Sequence, residues 1–195
     1  MSSQLNPNFE LNNIQITPDQ FLKAELEWGI SLENQNFVNL ANETLKQFNL
    51  SDYLKEEGVK TCMDFGAGTG AYTLASINAG FDTYTFEIWD AHKNYMKERI
   101  TNIQLIDNPI QTDLMLFIEV AEHMTDKEIK SLFKKIQPKY ILFSSTSGTT
   151  DFDVEWGHIN IKSQTDWIDF WYDLGYELNR KLNLPTEWSK LFRLL

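Results

Sequence analysis

One stretch constrains this chain more than any other: Met63-Asp64-Phe65-Gly66-Ala67-Gly68-Thr69-Gly70. A short apolar run ends in an acid and enters a G-x-G-x-G turn. Glycines lack a Cβ, so such a turn takes left-handed backbone angles and lets a ligand approach the main chain closely. A helical pattern opens at once, from Ala71 to Ala79. The turn therefore joins strand to helix and presents free N–H groups and the positive end of a helix dipole. The next strand-like run, Thr83-Tyr84-Thr85-Phe86-Glu87, ends in a second acid. That acid falls roughly 20 residues on, where a carboxylate can accept two hydrogen bonds from a ribose diol. A dinucleotide-binding unit stays open at this point, because its G-x-G-x-x-G/A fingerprint accepts Ala71 in the last place.

From Lys60 onward strand and helix patterns alternate, which implies a parallel sheet with helices on both faces. The expected strands are Thr61–Phe65, Thr83–Glu87, Asn102–Leu105, Leu114–Phe117 and Tyr140–Ser144, then roughly Glu177–Leu184 and Leu191–Leu195. Helices are expected at Asp126–Ile136, capped by Thr125 or Asp126, and at Thr165–Leu174, ended by Gly175. Residues 1–17 are polar and asparagine-rich and read as a flexible N-terminal arm. Residues 18–195 read as one domain with a helical cap over 18–58. Thr17-Pro18-Asp19 starts that cap, with a capping hydroxyl, a first-turn proline and an acid at the positive end.

The formal net charge is −11, which argues against binding long nucleic acids or anionic membranes. Lys127, Lys130, Lys134, Lys135 and Lys139 read as a solvated helix face. The single cysteine, Cys62, lies in the first predicted strand and reads as a small buried hydrophobe. No internal disulfide can form, which suits a reducing cytoplasm, and no signal peptide or membrane span is evident.

The second informative stretch is Phe117-Ile118-Glu119-Val120-Ala121-Glu122-His123, at the carboxyl end of a strand. Ligands of open α/β sheets bind at that edge. If a helical turn begins at Glu119, then Glu122 and His123 share its face. His158, in Trp156-Gly157-His158-Ile159-Asn160, follows the next strand and belongs to the same edge. Two carboxylates and two imidazoles suit acid–base work or a cation, with Mg²⁺ or Mn²⁺ the first choice and Fe²⁺, Co²⁺ or Zn²⁺ admitted by the imidazoles. The bland reading keeps His123 as a helix cap and His158 as a structural loop residue. Trp156, Trp167, Trp171 and Trp188 are either core or the walls of a pocket for a sugar or aromatic ring.

Asp64 to Gly70 with Glu87 resembles the nucleotide-binding half of class I S-adenosylmethionine-dependent methyltransferases. That resemblance implies a Rossmann-like, seven-stranded, mostly parallel sheet with helices on both faces and the last strand antiparallel. It implies S-adenosylmethionine as cofactor, with Asp64, Gly66, Ala67, Gly68 and Gly70 at the turn and Glu87 on the ribose. Asp107 would contact the adenine amino group, and Ile118 would line the site. The E-x-x-E-H run with a later histidine is similar to the small-RNA 3′-terminal ribose methyltransferases. There, two glutamates and two histidines hold magnesium against the 2′ and 3′ hydroxyls. The matching positions are Glu119, Glu122, His123 and His158, with His123 and Glu119 as the catalytic pair. Ubiquinone-pathway O-methyltransferases carry a similar run. The wider pattern from Lys60 to Tyr176 resembles bacterial and phage methyltransferases. An arginine-rich end-binding segment is missing after His158. The expected acceptor is therefore a hydroxyl on a small molecule, such as a sugar or vicinal diol. The alternatives are the 3′-terminal ribose of a short RNA, a catalytically inert binding protein on the same fold, and a dehydrogenase.

Overall fold

The computed structural model describes residues 9–11, 14–46, 50–147, 150, 156–180 and 189–195, with side chains from residue 17 onward. A short antiparallel hairpin comes first, β1 (Phe9–Leu11) with β2 (Ile14–Ile16), inside the stretch expected as an arm. Three helices follow: α1 (Pro18–Glu27), α2 (Gln35–Lys46) and α3 (Leu50–Glu56). The start of α1 is a reciprocal capping box: Gln20 N–H donates to the Thr17 hydroxyl, and Thr17 N–H donates to the Gln20 side chain.

The chain then alternates β3 (Thr61–Phe65), α4 (Ala71–Asn78), β4 (Asp82–Phe86), α5 (Asp90–Arg99), β5 (Gln104–Ile106) and β6 (Leu114–Ile118). It continues through α6 (Asp126–Lys135), β7 (Tyr140–Ser144), α7 (Gln164–Asp173), β8 (Tyr176–Leu178) and β9 (Lys190–Leu194). The main sheet has seven strands in the order β5-β4-β3-β6-β7-β9-β8. Strands β3 to β7 pair in parallel, and β9 runs antiparallel to both β7 and β8. The central strands are apolar on both faces because helices cover both.

Successive strands step outward from β3 to β5, then restart with β6 on the other side of β3. The carboxyl ends of β3 and β6 therefore flank the crevice where open α/β sheets hold ligands. One face of the sheet packs Phe117, Phe143 and Phe192 against Phe133, Trp167, Trp171 and Tyr176. The opposite face packs Leu114, Leu116, Leu142 and Leu191 against Leu45, Leu50 and Leu54 of α2 and α3. Trp167 and Trp171 are thus core residues rather than pocket walls, since the apolar face of α7 must bury against the sheet. Trp188 lies outside the described residues.

Most expected boundaries hold to within two residues. The strand expected at Asn102 starts at Gln104, because Asn102 takes a left-handed turn conformation with φ 60°. The strand expected over 177–184 is β8, which ends at Leu178, and residues 181–184 lie outside the described residues. Among the described residues no helix is long and apolar enough to cross a membrane.

Candidate functional site

The glycine turn leaves β3 with φ of 71° at Gly66, 54° at Gly68 and 87° at Gly70. The three glycines serve different ends. A Cβ on Gly66 would lie 2.8 Å from Val120 Cγ2, and one on Gly70 would lie 2.7 Å from Met96 Sδ. Both are small because neighbours pack against them. A Cβ on Gly68 would come into ordinary contact with Glu25 Oε1, at 3.7 Å, so this glycine faces the Glu25 carboxylate. Gly66 and Ala67 donate their N–H groups to Phe86 O at 2.9 and 3.2 Å, which ties the turn to β4.

Carboxyl groups crowd this turn. Glu87, only 5% exposed, accepts from Gly68 N at 2.9 Å, Ile88 N at 2.7 Å and Trp89 N at 3.0 Å. Asp64 accepts from the Thr73 hydroxyl at 2.6 Å, and burial pushes its carboxyl up to about 7 despite that bond. Glu25, from α1, approaches from above, and its Oε2 lies 2.6 Å from His92 Nε2 on α5. Burial raises the Glu25 carboxyl also, the His92 contact pulls it back, and the charge of Glu87 adds to the rise. Asp107 is exposed and follows Ile106, the β5 partner of Phe86, so it stands level with Glu87 on the neighbouring strand. Ile118 ends β6 half-buried, packed against the apolar cluster that holds Leu114 and Leu116.

Helix α1 covers the turn. Its Leu22 and Leu26 pack on Tyr95, Met96 and Ile100 of α5, with Ala67 beside them. Its outer aromatics reach across the crevice: Phe21 lies 4.9 Å from Trp89 and 4.6 Å from Trp156, and Trp28 lies 4.2 Å from Trp156, between ring centroids. Of the tryptophans singled out in the sequence and described in the structure, Trp156 is the one placed at the site.

On the far side of the crevice, Glu122, His123 and His158 bring one ligand atom each within 4.8 Å of one another. The two imidazoles meet edge to face at 4.8 Å. Backbone bonds hold the histidine loop in place: Ile159 N and Asn160 N donate to Glu122 O at 2.8 and 3.0 Å. Asn160 Nδ2 adds a bond to Met124 O at 2.8 Å. Glu122 is fully buried, and its Oε2 has no hydrogen-bond partner. Burial and the neighbouring Glu119 charge raise the Glu122 carboxyl well above the usual carboxylate range. Burial and the nearby His158 push His123 down to about 4, although a bond to the Gly157 backbone opposes this. His123 is therefore neutral at pH 7, the form that coordinates metal or accepts a proton.

Glu119 lies near enough for its charge to raise the Glu122 carboxyl, but it is not among the three side chains whose ligand atoms converge. The helical turn expected to begin at Glu119 is instead a 3₁₀ turn over Ala121–His123. Glu119 precedes it with φ 52°, its N–H on Ser144 O at 3.0 Å, and its side chain is exposed. The left-handed kink ends β6 and rotates Glu119 away from the helical register assumed for it. Glu25 and His92 escaped the sequence reading because they are 67 residues apart and neither belongs to a motif.

No family model matches the chain, and no curated protein matches it. Solved structures do. Magnesium protoporphyrin IX methyltransferase (ChlM) from Synechocystis PCC 6803 with bound SAH superposes with a TM-score of 0.62 at 14% identity, over 90% of this chain and 93% of that one. The mitomycin 7-O-methyltransferase MmcR gives 0.59 at 13% identity, over 92% and 69%. The methyltransferase domain of bacterial-CtHen1-C gives 0.56 at 16% identity, over 80% and 98%. The chain has the fold of the S-adenosylmethionine-dependent methyltransferases.

Proposed function

We propose that the chain is an S-adenosylmethionine-dependent methyltransferase acting on a hydroxyl of a small molecule, a sugar or vicinal diol, assisted by a divalent cation. One observation carries the choice of cofactor. Glu25, Asp64 and Glu87 surround the glycine turn, and the Gly68 N–H is already given to Glu87. A dinucleotide would bring its pyrophosphate anion to that turn, against buried carboxyl groups. A ligand with hydroxyls and a cationic amino-acid end suits the same surroundings.

S-adenosylmethionine supplies an electrophilic methyl group on a sulfonium. Glu87 would take the ribose hydroxyls, with its carboxylate already fixed by three backbone donors. Asp64, Gly66, Ala67, Gly68 and Gly70 shape the turn, while Asp107 and Ile118 border the adenine side. Helix α1 and Trp156 exclude water from the crevice.

Glu122, His123 and His158 fit a divalent cation, because a buried carboxylate oxygen without a partner faces two converging imidazoles. A cation there supplies a Lewis acid that lowers the pKa of a bound hydroxyl and orients it. On this reading the acceptor oxygen would bond the methyl carbon as the carbon–sulfur bond breaks and the sulfur leaves as a neutral thioether, and Glu119, exposed beside Glu122, would take the hydroxyl proton. The Mg²⁺ or Mn²⁺ and the role of Glu119 rest on this reading.

The test is transfer of labelled methyl from S-adenosylmethionine to a panel of vicinal diols and short RNAs, with and without chelator. Label on the diols that vanishes in chelator and returns with Mg²⁺ or Mn²⁺ supports the proposal. Label on an RNA 3′ end, abolished by periodate oxidation of that end, replaces the small molecule with RNA. Full transfer by metal-free protein removes the cation and leaves His123 as the base.

A further inference from the structure

Glu25 belongs to no motif, yet its side chain reaches from α1 to Gly68 of the glycine turn. Its two oxygens differ. Oε2 is 2.6 Å from His92 Nε2, and His92 is fully buried with Nδ1 unpartnered, so this bond holds the imidazole and fixes the carboxylate. Oε1 points to Gly68, 3.7 Å from the position a Cβ would take. Every substituted residue at position 68 would place its side chain in this gap. The gap lies between a buried carboxylate and a bare main chain, and Glu87 closes its other side through the Gly68 N–H. Two carboxyl groups thus bracket a single glycine, and the charge of one raises the ionisation range of the other. Glu87 is offset by its three backbone donors and Glu25 Oε2 by His92, which leaves Glu25 Oε1 as the acceptor turned toward the glycine.

We propose that Glu25 is a cofactor-binding residue: its Oε1 accepts a charge-assisted hydrogen bond from the α-ammonium of the cofactor's amino-acid end, with His92 as its positioning residue. This rests on the S-adenosylmethionine reading above. Glu87 then reads the ribose and Glu25 the ammonium, one from the sheet and one from the covering helix.

Calorimetric titration with two ligands tests the assignment. One is S-adenosylhomocysteine, and the other is its analogue with hydrogen in place of the α-amino group. The wild-type protein should bind the first about 10- to 100-fold more tightly, the range of a charge-assisted hydrogen bond. Glu25→Gln keeps the shape and should bring the two affinities to within about threefold, by lowering the first and sparing the second. Equal affinities in the wild type would overturn the proposal without any variant. A wild-type preference retained in a folded Glu25→Gln protein would overturn it too. A wild type that binds neither ligand would instead remove the methyltransferase reading on which the proposal stands.

Discussion

Glu87 and Glu122 are both buried glutamates at the carboxyl edge of one sheet, and they are built in opposite ways. Glu87 accepts three backbone N–H bonds, from Gly68, Ile88 and Trp89. Glu122 keeps an oxygen without any partner, faces two imidazoles and feels the charge of Glu119. The first carboxylate is pre-organised by its own turn, so its charge is stabilised before a ligand arrives. The second keeps an oxygen without a partner, and the proposed cation would satisfy it. On the proposed reading, one edge carries a finished half and a half that a ligand completes. Val120, packed on Gly66, is the physical joint between them.

The largest expected effect breaks the unfinished half. His123→Ala or His158→Ala should lower methyl transfer by about 100-fold or more, as expected when Lewis-acid help worth several kcal/mol is lost. Cofactor affinity should stay near wild type, because the glycine turn is untouched. Parallel measurement of turnover and S-adenosylhomocysteine binding checks both. Loss of both together would mean that the two halves are not separable.

Glu87→Ala strikes the finished half. It removes the acceptor of three N–H groups and the proposed ribose contact, so cofactor binding should weaken by about 1.5–3 kcal/mol. Divalent-cation affinity at Glu122, His123 and His158 should be unchanged by the same substitution. Titration of one sample with cofactor product and then with Mn²⁺ separates these outcomes.

The turn itself should carry a pH signature. The folded Asp64 carboxyl lies at about 7, above the ordinary value of 3.8. A raised acid stabilises the fold below its unfolded value, and that contribution is lost as pH rises through its folded value. Its share of stability is therefore full below pH 3.8 and is lost between there and about pH 7. The fall is at most about 1.4 kcal/mol for each pH unit crossed. Asp64→Asn should flatten the loss of urea stability across that window. An unchanged slope would place the fall elsewhere.

The smallest effect belongs to the strap outside both halves. Glu33 accepts from Tyr95 OH and pairs with Arg99 at 2.5 Å, which fastens the segment after α1 to α5. The guanidinium and the phenol hold its carboxyl down at about 2, but the pair is largely solvated. Arg99→Ala should cost under about 1 kcal/mol in urea unfolding.

The two halves also differed in how far the sequence revealed them. The glycine turn and Glu87 were readable because local geometry made them: a strand end, three residues that need positive φ and an acid one strand later. Strands β6 and β7 were recognisable from continuous apolar runs, and β3 and β4 from short runs that lead into an acid. The helical turn read from Glu119 starts instead at Ala121 because a single left-handed residue breaks the register, and nothing in Glu-Val-Ala-Glu-His signals it. Trp167 and Trp171 look identical as core or as pocket wall until the sheet face they cover is known. Glu25 and His92 meet only through the packing of α1 on α5, which no local pattern encodes.

The central claim is that the carboxyl-lined turn selects a cofactor with a cationic amino-acid end over one with a pyrophosphate. Calorimetric titration of a single preparation with S-adenosylhomocysteine and with NAD tests it most directly. Saturable one-site binding of the first and none of the second is the expected result. NAD binding that S-adenosylhomocysteine fails to displace would contradict the claim.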